Sequence, residues 1–120
     1  MTRRRRLLFV TTSMDRGGAQ RQIVDLAIRL KAAGWTVAVL TMTPPTHYVD
    51  ELAAGDIELM SLEMAPRRPT VRGWLQYGRI VRAWRPDIIH SHMVHANLLA
   101  RVGRLFAPRV PVISTVHNVV

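Results

Sequence analysis

The sequence predicts an α/β fold: a parallel sheet of about five strands with helices on both faces. Three observations carry this expectation. Short apolar, strand-like runs alternate with segments whose apolar residues recur at helical spacing, the pattern of successive βαβ units. The first such run meets a glycine pair, Gly17-Gly18, and a helical pattern begins immediately after it. The chain has 120 residues, 48% of them hydrophobic, which suffices for one domain with a real core and not for two.

The elements follow in order. Leu7–Thr12 forms a buried first strand. Ala19, Ile23, Leu26, Ala27 and Leu30 then fall on one helical face, and Gly34 occupies the post-helix position where a left-handed residue ends a helix. Val37–Thr41 is a second strand, stopped by Pro44-Pro45. Tyr48–Ala54 is a short helix closed by Gly55, and Ile57–Leu62 is a third strand. Met64–Thr70 is a loop holding Pro66, Arg67, Arg68 and Pro69. In the next helix Val71, Leu75, Gly78 and Arg82 share one side, with Trp74, Tyr77 and Val81 nearby. Ile88–His92 is a short strand after Pro86-Asp87, Asn97–Phe106 is helical, and Val110–Val116 is a fifth strand. Trp35, Trp74 and Trp84 each neighbour apolar positions and are expected to pack rather than to form a stacking platform.

A strand, a glycine turn and a helix in that order leave backbone N–H groups pointing out of the sheet beside the positive end of the helix dipole. That Rossmann-like geometry suits an anionic, nucleotide-like ligand. A missing Cβ at Gly17 and Gly18 permits close backbone approach. The dinucleotide fingerprint itself is absent, because no G-x-G-x-x-G spacing occurs.

The formal charge is +9, from 17 Lys and Arg against 8 Asp and Glu. Attraction to an anionic membrane surface or a phosphorylated substrate follows from such a balance, and the run Arg3-Arg4-Arg5-Arg6 is its best candidate for a surface contact. Nucleic acid is not an expected partner, since no recognition-helix, zinc-finger or aromatic-platform signature accompanies the charge. With no cysteine there is neither a disulfide nor a thiolate metal site. The apolar stretch after the arginines is too short for a signal peptide, and no run reaches bilayer-spanning length, so a cytoplasmic location is expected.

Ile88, His90 and His92 share one face of their strand by period two, and His92 stands last, at the carboxyl end where ligands bind in open α/β sheets. A neutral imidazole there offers one donor and one acceptor. His90 fits a partly buried, hydrogen-bonded strand residue. The spacing of His90, His92 and His95 also admits a zinc site of hydrolase type, although Val94 stands where a hydrolase motif would need an aspartate. No metal and no cofactor are expected.

Four segments together resemble the N-terminal domain of the family 4 glycosyltransferases, retaining sugar transferases of the GT-B fold: TTSMDRGGAQRQIVDLAIRL, KAAGWTVAVLT, RPDIIHSHMVHANLLA and PVISTVHNV. They stand in the family's order and span most of the chain. One departure is Gln20, where the family often has an acid. The resemblance implies a domain that meets a nucleotide-diphosphate sugar and a glycan or lipid acceptor, at the inner membrane surface in some settings. It places His92 at the reaction centre, Gly17 and Gly18 against the donor diphosphate or the acceptor, and His117 and Asn118 in the same cleft. It further implies a truncated chain: residues 1–120 as a single acceptor-side domain, with the C-terminal nucleotide-sugar domain absent and the isolated chain inactive. A non-catalytic Rossmann-like binding module is the alternative.

Overall fold

The structure is a computed structural model that describes residues 5–11, 18–43, 45, 47–62, 71–92 and 110–115. Five strands, β1 (Arg6–Thr11), β2 (Thr36–Thr41), β3 (Glu58–Ser61), β4 (Ile88–His92) and β5 (Val112–Thr115), form one parallel sheet in the order β3-β2-β1-β4-β5. Three described helices, α1 (Gly18–Ala32), α2 (Val49–Ala54) and α3 (Val71–Trp84), connect them. The expected loop over Met64–Thr70 and helix over Asn97–Phe106 lie outside the described residues.

β1 is the middle strand, and both of its faces are covered. Leu7 and Phe9 join Ile23, Val24 and Ala27 of α1, Leu52 of α2 and Val37 and Val39 of β2 in one core. Leu8 and Val10 join Ala38, Leu40, Ile89, Tyr77 and Val81 in a second core beneath α3. Leu8, Phe9 and Val10 are fully buried, and each such side chain contributes roughly 1.5–3 kcal/mol of transfer free energy. This explains why the run is apolar without alternation.

α1 ends as its glycine requires. Gly34 has φ +101°, its N–H donates to the Lys31 carbonyl at 3.1 Å, and the Trp35 N–H donates to the Leu30 carbonyl at 3.0 Å. These are the two bonds of a Schellman motif, completed by packing of Leu30 and Trp35 on the same core. α3 departs from the expected face. Its buried stripe is Gly73, Tyr77, Gly78 and Val81, whereas Arg82 is exposed and Leu75 is 54% exposed. The large Tyr77 ring is drawn into the core, and position 75 lies about 200° around the helix from it at 3.6 residues per turn. β5 is shorter than expected at its start. Pro111 has no N–H to donate, though its carbonyl accepts from the Ile89 N–H at 3.0 Å.

The amino ends of β1 and β4 and the carboxyl end of α3 are clasped together. The Arg6 N–H donates to Asp87 Oδ2 at 2.8 Å, and the Asp87 N–H donates to the Arg6 carbonyl at 2.7 Å. Arg6 Nε donates to the Trp84 carbonyl at 2.8 Å, with the guanidinium 4.1 Å above the Trp84 ring. Trp84 Nε1 in turn donates to Glu58 Oε2 at 3.2 Å. Arg6, expected among the free surface charges, is instead a half-buried part of the fold: it opens β1, where the neighbouring indole and carbonyl both attract a guanidinium.

Two substitutions test this packing. A Cβ at position 34 meets no atom within 4 Å, so Gly34→Ala suffers only the left-handed backbone penalty and costs about 1–2 kcal/mol in urea denaturation; Gly34→Asn costs less. The Tyr77 hydroxyl is buried with no partner among the described residues, and burial alone pushes its pKa up. Tyr77→Phe therefore holds or gains stability, by up to about 1–3 kcal/mol. A drop in the denaturation midpoint of Tyr77→Phe shows that the hydroxyl is bonded after all.

Candidate functional site

Connections leave β1 toward β2 and β3 on one side, whereas β4 and β5 extend the sheet on the other. The order therefore reverses between β1 and β4, and at such a point the loops at the carboxyl ends diverge and leave a crevice. All five strands are parallel, so their carboxyl ends share one edge. The residues there are Thr11, Thr41, Ser61, His92 and Thr115, every one polar. Thr11 is the register partner of both Thr41 and His92, and His92 is also the partner of Thr115.

Several hydroxyls on and beside this edge tie the strands together. Thr41 Oγ1 donates to the Met60 carbonyl at 3.4 Å, Ser61 Oγ to the Thr43 carbonyl at 3.2 Å, and Ser91 Oγ to the Ile113 carbonyl at 3.5 Å. Thr11, Thr41 and Ser91 are fully buried. The carboxyl edge of the sheet is thus polar, with its hydroxyls bonded between strands. Sequence reasoning does not single out Thr11 or Ser91; the only signal available is that each apolar run ends on a hydroxyl.

α1 begins on the edge where β1 ends and returns to the edge where β2 starts. Gly18 is its first residue, and no acid stands in its first turn. The partial positive charge of the helix start therefore meets no acid within that turn. Gln20 is buried at 4% exposure, where a neutral amide avoids the large desolvation cost that a carboxylate would carry. Arg21 directs its charge elsewhere: it bonds Asp25 at 2.8 Å and both carboxylate oxygens of Glu51 on α2, at 2.9 and 2.7 Å. All three partners are exposed, so the cluster positions α2 more than it stabilises the fold.

His90 stands one pleat below His92. Its ring lies 5.5 Å from that of Phe9, tilted by 36°, and burial lowers its pKa from the ordinary value near 6.5. His92 ends β4 beside Thr11 of β1, and Gly18 is the first residue of α1, the helix that follows β1. Gly17, His95, His117, Asn118, Arg3 and Arg4 lie outside the described residues. Arg5, exposed beside Trp35 at 5.8 Å, and Arg6 lie at the opposite edge, about 17 Å from Thr11 by strand rise. No group of three possible metal ligands occurs among the described residues. A concavity of about 360 Å³ at the amino edge involves Lys31, Asp56, Glu58 and Trp84. Its polar groups already pair, Lys31 with Asp56 at 3.4 Å and Trp84 with Glu58, and it is remote from the strand-order reversal.

The sequence profile of Glycosyltransferase Family 4 matches residues 16–120. Among solved structures, a glycosyltransferase from Rickettsia africae superposes with a TM-score of 0.73 at 18% identity, over 97% of this chain and 31% of that one. The chain therefore spans about a third of that protein's length. The C-terminal domain of a hydrogenase from Pyrococcus furiosus superposes with a TM-score of 0.64 at 13% identity, over 95% of this chain and 92% of that one. No curated protein matches at a significant level. At these identities the two structures establish the fold alone.

The state of His90 has a measurable consequence. The unfolded chain takes up a proton at His90 as pH falls below about 6.5, whereas the folded chain resists protonation there until lower pH. The stability this group contributes is complete above the unfolded value and is lost as pH falls toward the folded one. Denaturation of wild type and His90→Gln at pH 7 and pH 5 separates this effect from other titrations: the wild type loses more stability than the variant over that interval, and equal losses refute the assignment.

Proposed function

Because the chain belongs to glycosyltransferase family 4, we propose that it is the acceptor-side domain of a retaining, metal-independent transferase, which moves a sugar from a nucleotide-diphosphate sugar to a glycan or lipid acceptor. The observation that carries this reading is the adjacency of β1 and β4 at the strand-order reversal, with Thr11 opposite His92 and α1 headed by Gly18 on the same edge. In the transfer the bond from the sugar's anomeric carbon to the diphosphate breaks and a bond to an acceptor oxygen forms. Negative charge then grows on the leaving diphosphate. The N-terminus of α1, whose first turn holds no acid, with Gly17 and Gly18 at its start, is the group on this domain suited to that charge.

His92 serves at the other side of the crevice. A neutral imidazole hydrogen-bonds a sugar hydroxyl and holds the reacting pair in line. His117 and Asn118, two positions past the end of β5 and beyond, complete the cleft from the β5 side. The nucleotide is gripped mainly by a second domain, and catalysis comes from closing the two around the donor, so the 120-residue polypeptide alone gives no turnover. With Arg6 committed to Trp84 and Asp87, Arg3, Arg4 and Arg5 remain as the N-terminal charges for an anionic membrane surface.

The test is an NMR titration of the labelled polypeptide with a panel of nucleotide-diphosphate sugars. Amide shifts centre on Thr11, Gly18, Ser91 and His92. Shifts centred instead on Thr36, Glu58 and Trp84 relocate the site, and no shifts at any nucleotide remove it. In an active enzyme containing this domain, His92→Ala lowers kcat/KM by about a hundredfold or more with the fold intact.

A further inference from the structure

The concavity at the amino edge of the sheet is no part of the crevice. Its volume, about 360 Å³, falls at the lower end of the range for small-ligand pockets, roughly 300–1,000 Å³. Its walls come from packed elements. Trp84, the last residue of α3, is pinned by the Arg6 guanidinium 4.1 Å above its ring and by its Nε1–H bond to Glu58 Oε2. Val37 and Ile57, both buried, supply apolar surface. The β2–β3 ladder begins only with Ala38 and Glu58. The Thr36 N–H is turned toward β1, where it donates to the Arg5 carbonyl at 2.9 Å. By the alternation of a strand the Val37 N–H lies on the β3 side, ahead of the first ladder pair. The polar side chains here also have bonding capacity to spare. Lys31 Nζ stands 3.4 Å from Asp56 Oδ2, longer than the roughly 2.7–2.9 Å of a close charge-assisted bond. Glu58 Oε1, Asp56 Oδ1 and the half-buried Thr36 hydroxyl make no bond among the described residues.

We propose that this concavity binds a neutral saccharide, one pyranose ring at a time, as a site separate from the crevice at the carboxyl edge. A sugar hydroxyl both donates and accepts, so it suits a lining that mixes the two. Glu58 and Asp56 accept, Lys31 and the Val37 N–H donate, and Thr36 does either. The C–H face of the ring finds apolar surface on Val37, Ile57 and the indole. Charge decides against other small ligands. An anion meets two carboxylates, so a nucleotide diphosphate is repelled here. A cation meets Lys31 and, above the indole, Arg6. A zwitterion needs a free ammonium opposite a free carboxylate, and the one ammonium present already faces Asp56. The site is open, with the Asp56 side chain 94% exposed. Water competes for each hydrogen bond, and binding is weak, with a Kd on the order of millimolar. The site rests on its own lining and not on the transferase reading.

The full labelled chain is titrated by NMR with the methyl glycosides of glucose, mannose and N-acetylglucosamine, none of which carries a phosphate. At least one of them shifts the Val37 amide and the Trp84 indole N–H saturably, with a Kd of about 1–20 mM. Serine, inorganic phosphate and putrescine at the same concentration leave both signals in place. Glu58→Gln keeps an oxygen to accept from Trp84 and weakens the sugar about fivefold, and Thr36→Val, close in shape, weakens it about threefold. Asp56→Asn suits the left-handed backbone at that position, φ 57°, and weakens it to a similar extent. Asp25→Asn, on the exposed side of α1, leaves the affinity unchanged. Circular dichroism confirms that each variant stays folded. The proposal is overturned if no glycoside shifts these signals up to about 100 mM, if the comparison compounds shift them equally, or if the Glu58, Thr36 and Asp56 variants bind as the wild type does. Glycoside shifts confined to Thr11, Ser91 and His92 overturn it too, while leaving the transferase reading in place; failure of nucleotide sugars at that other edge leaves the amino-edge site standing.

Discussion

β1 constrains everything else in this molecule. It lies in the middle of the sheet, pairs with β2 on one side and β4 on the other, and is covered on both faces. A strand in that position has no free face and no free edge. Its interior residues are fixed by packing, and chemistry is confined to its ends. Each end has been used differently. At the amino end Arg6 is locked by Asp87 and Trp84. At the carboxyl end Thr11 lies beside His92 where the strand order reverses. One end of the strand is tied to α3 and to the residue before β4, and the other lies where the strand order reverses.

The elements were legible in the sequence wherever burial demands a local pattern. Ile88–His92 is found as read, and α1 stops at Gly34 because only a residue that tolerates positive φ completes its terminal bonds. What escaped local pattern was decided by tertiary contact. Periodicity alone does not say which side of α3 turns inward, since Leu75 and Tyr77 both belong to plausible stripes; the area of the aromatic ring decides it. Nor does a run of four arginines reveal that its last member will find an indole and a carboxylate separated from it by some eighty positions. The strand order is likewise invisible in any window of sequence, although it alone makes β1 and β4 neighbours. Of the candidate site, the imidazole and the glycine were legible as strand-end and helix-start signals, whereas Thr11 and Ser91 were not, because a buried hydroxyl in a strand looks like ordinary β-propensity.

The +9 charge is distributed rather than diffuse. Arg21 is held between Asp25 and Glu51, Lys31 faces Asp56, and Arg6 is internal to the clasp. Asp25, Glu51 and Asp56 thus accompany the α1 and α2 side of the sheet, whereas α3 carries no acid. The two faces of one small sheet therefore differ in electrostatic character, with the polar strand-end edge between them.

The clasp joins residues 81 positions apart, far more than the 30 that separate the paired residues Arg6 and Thr36. Closing so long a stretch of chain carries the larger entropic cost, and pairings of high contact order form slowly. The half of the sheet that carries Gly18 can assemble from near neighbours, but His92 arrives only with the longest closure. A molecule that bridges the two recognises the completed fold and not its precursors, and it draws the folding equilibrium toward completion by mass action.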